Sequence, residues 1–472
     1  MIPVYPEPQT VNPAPDVSAT PPCPHFGPCG GCQLQDLAYP AQLAQKAEQL
    51  RGSLAAANLA LPALQVHASP PLAYRNRIRL SLAQVEGGLR AGYLSAPAAG
   101  RHPEFVPITQ CPIAAPILWA AAGSLVALIN ETPAPWLRNP RFKLDQVELF
   151  TTADESALQF TLYLRSSTHR LHQIAAAFTA LCESLRARLP ELAGVGIAIL
   201  PPAQPGRSRR AEIQRSGPAW GSPGLKYTVQ PSVPELEPLT YWVPRGAFFQ
   251  VNRFLLPQLV GLVAANRVGT LAWDLYAGVG LFTRALAPNF TRITAVEIAE
   301  PAFTALASAK LPNRHAVKDT TLDFLHSAVL QRDRPDLIVL DPPRTGAGPE
   351  VCSLLGRIAA STLIYVSCSP ETLPADLGAL AACGYAIAEL HLLDLFPQTT
   401  HIETVVILTR PDPGALSCAH QRYNEGYDAG RSGQEKQEHQ PPGASHQRTS
   451  CDHAARLRSS CQPQEARRFL KP

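Results

Sequence analysis

The stretch Ala272 to Ala287, A-W-D-L-Y-A-G-V-G-L-F-T-R-A-L-A, constrains the fold of this chain more than any other. An apolar run ends in an acid, Asp274, then tightens into Gly278 and Gly280. Apolar residues continue at helical spacing: Leu281, Phe282, Ala285 and Leu286. The pattern predicts a strand, a glycine turn and a helix start, which bring a nucleotide-like ligand close to backbone amides. Nineteen residues after Gly278 a second apolar run ends in Glu297. Such folds grip a ribose diol with an acid about 20 residues on. Glycines also serve plain helix packing in many buried turns, so the meaning of this one depends on its company.

From Tyr241 onward, strands at 271–275, 293–297, 336–340, 362–366 and 403–408 alternate with helical stretches. That predicts a doubly wound α/β domain over 241–410, with ligands at the carboxyl ends of its strands. The unusual residues of this half fall there. Strand 336–340 runs into Asp341-Pro342-Pro343-Arg344, where two prolines stiffen the loop. Strand 362–366 runs into Ser367-Cys368-Ser369-Pro370. Partial exposure near helix-start amides would favour a Cys368 thiolate; the plain alternative is a buried structural thiol. Glu403 opens the last strand, and an antiparallel direction there would put it on the ligand side. Otherwise it is an ordinary strand-end carboxylate.

The chain has 472 residues and eleven cysteines. Its N-terminus shows neither a basic n-region nor an apolar h-region, so reduced thiols in a cytoplasmic setting are expected. Cys23, Cys29 and Cys32 have the spacing C-x5-C-x2-C, with prolines and glycines able to curl the loop around a metal centre. Cys111, followed by Pro112, is the best fourth ligand; a Cys-Pro pair recurs at iron–sulfur sites. Structural zinc also takes four thiolates, commonly from two C-x2-C pairs. A single such pair favours the cluster.

The remainder sets the boundaries. Residues 1–20 are proline-rich and read as a disordered leader. Residues 21–70 hold the cysteine loop and a helix at Gln42 to Leu54, and 71–240 read as a mixed, mostly β domain that contributes Cys111. In the latter, Tyr74 to Leu82 alternates at period two, with Arg75, Arg77 and Arg79 on one face. That row could track phosphates or form a solvated face. Further strands are expected at Gly88 to Tyr93, Phe142 to Phe150 and Ala157 to Leu164, the last two joined by a turn. A helix is expected at Leu171 to Leu189, with Cys182 on its apolar side. The near-apolar run Ile117 to Ile129 is too short to cross a membrane. Residues 411–472 read as a disordered tail. The net charge of +4 neither demands nor excludes a polyanionic partner.

Taken together, Phe249-Gln250-Val-Asn252, Asp274-Leu-Tyr276-Ala-Gly278-Val-Gly280, Val296-Glu297, Asp341-Pro-Pro-Arg344, Ser-Cys368-Ser-Pro and His401-Ile-Glu403-Thr-Val resemble the RNA 5-methyluridine methyltransferase family. The cysteine loop with its distant Cys-Pro resembles the ribosomal-RNA branch, which carries a [4Fe–4S] cluster. The resemblance runs from about Cys23 to Leu408. It implies a Rossmann-like class I methyltransferase domain, a central RNA-binding domain, and an iron–sulfur loop held by Cys23, Cys29, Cys32 and Cys111. It also implies that Gln250, Tyr276, Glu297 and Asp341 line an S-adenosylmethionine site, with Cys368 as nucleophile and Glu403 as proton acceptor. The expected reaction is methyl transfer to C5 of a uridine in RNA by a monomer without membrane association. By that branch the expected RNA is 23S rRNA, with the T-loop uridine of tRNA as the alternative. Family members often read Ser-Cys-Asn-Pro where this chain has Ser369. A dehydrogenase would use the glycine turn and Glu297 but not the cysteines. A non-catalytic iron–sulfur RNA-binding protein would leave Glu403 beside Cys368 without a task. DNA cytosine methyltransferases place proline where this chain has Ser367.

Overall fold

Two sheets organise the described chain. A computed structural model of the protein describes residues 18–96, 102–132, 142–166, 174–201 and 215–410. The leader, apart from its last three residues, and the tail expected over 411–472 lie outside the described residues.

Helix α1 (Tyr39–Ala55) and strand β1 (Leu64–His67) come first. The central sheet follows, built from β2 (Arg77–Val85), β3 (Gly88–Leu94), β4 (Phe105–Pro107), β5 (Phe142–Thr151), β6 (Leu158–Ser166), β7 (Leu192–Leu200) and β8 (Arg215–Gly221). Helix α2 (Pro116–Glu131) lies between β4 and β5, and α3 (Ala175–Arg188) between β6 and β7. The strand order is β4-β3-β2-β5-β6-β7-β8. Neighbours are antiparallel except β6 and β7, which α3 connects in parallel. The period-two pattern of β2 sends Ile78, Leu80 and Leu82 into a core shared with Leu118, Leu125, Phe178 and Cys182 of the two helices. The run Ile117 to Ile129 is therefore a core-facing helix. Among the described residues no helix is long and apolar enough to cross a membrane.

The arginine row on the other face of β2 is largely engaged within the protein. Arg77 donates to the Ala247 carbonyl at 2.7 Å and lies over the Phe150 ring at 4.3 Å. Arg79 donates to Gln146 Oε1 at 2.6 Å and stacks over Tyr163 at 3.8 Å.

A hairpin, β9 (Gly224–Val229) and β10 (Leu239–Pro244), leads into the second sheet. The order is then α4 (Leu256–Ala264), β11 (Gly269–Leu275), α5 (Leu281–Leu286), β12 (Phe290–Val296), α6 (Glu300–Ser308), β13 (Arg314–Val317) and α7 (Thr321–Gln331). It continues through β14 (Leu337–Leu340), α8 (Pro349–Ile358), β15 (Thr362–Ser367), α9 (Leu373–Ala382), β16 (Ala386–Leu393) and β17 (Glu403–Thr409). Strands pair as β1-β16-β17-β15-β14-β11-β12-β13. All run parallel except β17, which is antiparallel to both neighbours. This is the doubly wound arrangement the alternation predicts. Its inner strands are mostly apolar because helices cover both faces; every residue of β14 is buried. In this sheet three strands go beyond the sequence expectation: β13, β16, and β1, which adds parallel to β16 from the stretch read as loop and helix.

Candidate active site

The glycine turn follows β11 as expected. Asp274 is fully buried, and its Oδ2 accepts from Thr283 N at 2.7 Å and from the Thr283 hydroxyl at 2.5 Å. The acid thus staples strand β11 to the first turn of α5. Burial pushes its carboxyl up to about 7; the Thr283 bonds oppose that and the Glu297 charge adds to it. The two glycines serve different needs. Gly280 caps α5 in the left-handed region, φ +89°, and a Cβ there would meet Leu306 Cδ1 at 2.9 Å. Gly278, φ +57°, faces open space, with nothing within 4 Å of a Cβ. The second glycine permits close packing of the helix; the first leaves an open cradle in front of the turn. Gly278 N donates to Glu297 Oε2 at 2.8 Å, and Ala299 N donates to Oε1 at 2.5 Å. Glu297 is therefore held at the rim of that cradle, a setting that fits a ribose-bearing ligand.

Strand directions place five of the six predicted residues of the site along one edge of the sheet. Tyr276 follows β11 with φ +61°, Glu297 follows β12, Asp341 follows β14 and Cys368 follows β15. Because β17 is antiparallel, Glu403 starts it on the same edge, with Thr404 paired to Ser367 and Glu403 to Leu393. Gln250 reaches that edge through its neighbours. Asn252 Nδ2 donates to the Leu395 carbonyl just beyond β16 at 3.1 Å, and Asn76 Nδ2 donates to the Gln250 carbonyl at 3.0 Å. Burial pushes the Tyr276 phenol up, with Thr321 opposing.

Cys368 is half-buried and lines a cavity of about 390 Å³ with Arg344, Ser369, Glu371, His401 and Ile402. Its setting does not favour the thiolate that its loop position suggests. Burial pushes the thiol up to about 11, and the charges of Glu403 and Asp341 add to that, against Arg344. Helix α9 begins only at Leu373, and burial, with the carboxylates brought in by β14 and β17, outweighs any helix-start effect. Glu403, 2 % exposed, is raised well above the ordinary carboxylate range by burial and by Asp341, again against Arg344. Asp341 is pushed up to about 7 by burial and by Asp274.

Two residues without an assigned role shape this edge. Arg344 is the cation acting on both Cys368 and Glu403; its place directly after Asp-Pro-Pro was the available signal. Asp376 accepts from Tyr365 Oη at 2.6 Å, from Ala347 N at 2.7 Å and from Gly348 N at 3.1 Å, and so fixes the far end of the Asp341 loop. Nothing in its local sequence marks it.

Cys23, Cys29, Cys32 and Cys111 line one cavity with Arg75 and Tyr93. The loop curls through hydrogen bonds from Phe26 N to Cys23 O at 3.1 Å and from Cys29 N to His25 O at 2.9 Å. Gly30 lets it lie against the chain at Ser95 and Ala96, since a Cβ there would be 2.8 Å from Ala96 N. All four thiols are free. Burial raises those of Cys29 and Cys111 and pushes Cys32 up to about 11, and neighbouring cysteines add to each. Among the described residues no group of three or more His, Cys, Asp or Glu is arranged to hold a metal ion. Four sulfurs around one cavity nevertheless have the donor chemistry of a soft-metal centre.

Comparison with known proteins adds to this geometry. Residues 236–411 match the family model described as tRNA (Uracil-5-)-methyltransferase. Over 416 residues the chain is 31% identical to the 23S rRNA (uracil(1939)-C(5))-methyltransferase RlmD of Chromohalobacter salexigens, covering 86% of this chain and 80% of that protein. It is 30% identical over 395 residues to the 23S rRNA (uracil(747)-C(5))-methyltransferase RlmC of Yersinia pestis, covering 81% and 97%. Its fold is similar to the crystal structure of Pyrococcus abyssi tRNA (uracil-54, C5)-methyltransferase in complex with S-adenosyl-L-homocysteine. The TM-score is 0.60 at 22% identity, over 81% of this chain and 86% of that one.

Proposed function

Since the chain belongs to the uracil-C5 RNA methyltransferase family and is an S-adenosylmethionine-dependent RNA methyltransferase, we propose that it methylates a uridine of 23S rRNA through a covalent bond between Cys368 and C6. The observation that carries this reading is the antiparallel pairing of Ser367 with Thr404, which sets Cys368 and Glu403 at one sheet edge. In the same reading Gln250, Tyr276, Glu297 and Asp341 line the methyl-donor site, with Glu297 at the ribose.

The chemistry needs both residues. C5 of uracil is too poor a nucleophile to attack a methyl sulfonium. Addition of the Cys368 sulfur to C6 makes C5 an enolate carbon that can, so one hard step becomes two easier ones. The thiol proton must leave as the sulfur adds, and the open cavity beside Cys368 gives it a path to water. After methyl transfer Glu403, in its ionised form, takes the C5 proton, the C5=C6 bond reforms and the sulfur is expelled. A base in folded RNA has to be flipped out to reach the edge, and the central sheet would hold its neighbours.

RNA carrying 5-fluorouridine at the target is expected to become covalently attached in the presence of methyl donor, because fluorine cannot leave as a proton. A denaturing gel reads the adduct, and its absence under turnover conditions counts against attack at C6. The rRNA relatives in the 30% identity range favour 23S rRNA; the alternative is the T-loop uridine of tRNA. Mapping 5-methyluridine lost from rRNA and tRNA in a deletion strain separates the two.

The four-cysteine cavity is proposed to hold a [4Fe–4S] cluster, supported by the donor set and the Cys111-Pro112 pair. Anaerobically purified protein is expected to contain about four iron and four sulfide per chain. One zinc and no sulfide would overturn this assignment.

A further inference from the structure

Residues 394–402 run from the end of β16 to the start of β17, and the N-terminal part of the chain grips them repeatedly. Gln33 N and Leu34 N, directly after Cys32, both donate to the Gln398 carbonyl, at 3.0 and 3.1 Å. Gln42 of α1 then meets Gln398 with both ends of its amide. Its Oε1 accepts from Gln398 N at 3.0 Å, and its Nε2 donates to Gln398 Oε1 at 3.0 Å. One turn further along α1, Lys46 Nζ donates to Asp394 Oδ1 at 2.6 Å and to the Phe396 carbonyl at 3.0 Å. Tyr74 Oη donates to the Pro397 carbonyl at 3.1 Å.

Three features mark Gln398 as the centre of this joint. It adopts φ +68°, a conformation that residues other than glycine rarely hold without support. Its side chain is buried, as is that of Gln42, whose Nε2 also donates to the Leu34 and Leu37 carbonyls at 2.8 and 2.9 Å, so one buried amide ties Gln398 to the chain leading into α1. Glu403 follows five residues later, with only Thr399, Thr400, His401 and Ile402 between. Thr399 Oγ1 continues the brace by donating to the Phe396 carbonyl at 2.8 Å, and His401 N donates to Thr399 Oγ1 at 3.3 Å.

Resting on the reading of Glu403 as the base, we propose that Gln42 and Gln398 are positioning residues that lock the segment carrying Glu403 to the four-cysteine loop and α1. Neither touches the reacting atoms. The loop then serves proton removal by geometry: what orders Cys32 and Gln33 also orders the backbone leading to the carboxylate. A misplacement of about 1 Å at a reacting group costs up to about a hundredfold in rate, so the step most exposed to a loosened joint is removal of the C5 proton.

The test is single-turnover methylation of target RNA by Gln42→Ala, Glu403→Gln and the double variant, reading the protein–RNA adduct on a denaturing gel. Glu403→Gln is expected to hold methylated RNA on Cys368. Gln42→Ala is expected to hold the same adduct transiently, with release slowed about tenfold to a hundredfold and affinity for S-adenosylhomocysteine unchanged. The double variant is expected to release no more slowly than Glu403→Gln, because Gln42 acts through Glu403. Normal release by Gln42→Ala, or slowing that multiplies in the double variant, overturns the inference while the base assignment stands. If Glu403→Gln holds no adduct, the base assignment itself falls. Should Gln42→Ala not fold, Gln398→Gly carries the same test: glycine suits the left-handed backbone and removes the same side-chain amide bond.

Discussion

Cys368→Ala is expected to abolish methyl transfer, by on the order of 10⁴-fold or more, while leaving the binding of S-adenosylhomocysteine intact. Both halves follow from where the residues sit. The cradle at Gly278 and the rim carboxylate Glu297 lie beyond β11 and β12, whereas Cys368 lies beyond β15, with β14 between. Donor binding draws on the first group and covalent activation on the second. Without the sulfur, C5 keeps the weak nucleophilicity of an unactivated pyrimidine, and correct positioning cannot replace the missing bond. Truncation of a half-buried thiol beside an open cavity should cost roughly 1 kcal/mol of stability, so loss of activity will not reflect unfolding. Incorporation of labelled methyl and calorimetric titration with S-adenosylhomocysteine read the two halves. A variant that still methylates would remove Cys368 from the reaction; one that no longer binds the cofactor would show that the two groups are not separable.

The sequence made the site legible because each of its residues ends or begins an apolar run. Asp341 and Cys368 follow buried apolar runs and stand beside prolines or small polar residues; Glu403 precedes such a run. The direction of β17, left open by the residues, decides that Glu403 belongs with the others. What escaped has physical reasons. Strand β13, Arg-His-Ala-Val, is a four-residue edge strand without an apolar signature. The first half of β16 alternates exposed and half-buried residues, so its pattern breaks midway. Helix α2 is so apolar that its run was informative about length and silent about facing. The thiolate expectation failed because loop position is local, whereas the burial of Cys368, and after it the charges of Glu403 and Asp341, come from strands that only folding brings beside it. The Gln42–Gln398 pair could not be seen at all: two common residues 356 positions apart.

Glu403→Gln should separate the two halves of the reaction that Cys368→Ala removes together. Glutamine has the same shape and no charge, so addition to C6 and methyl transfer can proceed, but the C5 proton has no acceptor. Turnover is expected to fall by on the order of 10²- to 10⁴-fold, with a methylated, denaturation-resistant protein–RNA adduct accumulating in a single turnover. Free protein supplies an independent check. Cys368 is faced by Glu403 from β17 and by Asp341 and Arg344 from the loop after β14, while Glu371 and His401 share its cavity. Its thiol is held at about 11, so iodoacetamide alkylation in the wild type should rise about tenfold per pH unit through neutral and moderately alkaline pH. Removing the Glu403 carboxylate should move the midpoint down by up to roughly one unit, because burial, the larger cause, remains. Stability should move the opposite way to activity. The folded carboxyl titrates well above 4.5. Above that ordinary value, therefore, the native state keeps a proton that the unfolded chain releases, and wild-type stability declines as pH rises toward the folded pKa. Glutamine carries no such penalty, so the variant should melt at a higher temperature at pH 8 than the wild type. An active, less stable variant with an unshifted alkylation profile would place Glu403 outside the chemistry; a stabilised, adduct-forming one would show a buried acid kept at this edge for proton removal at the expense of the fold.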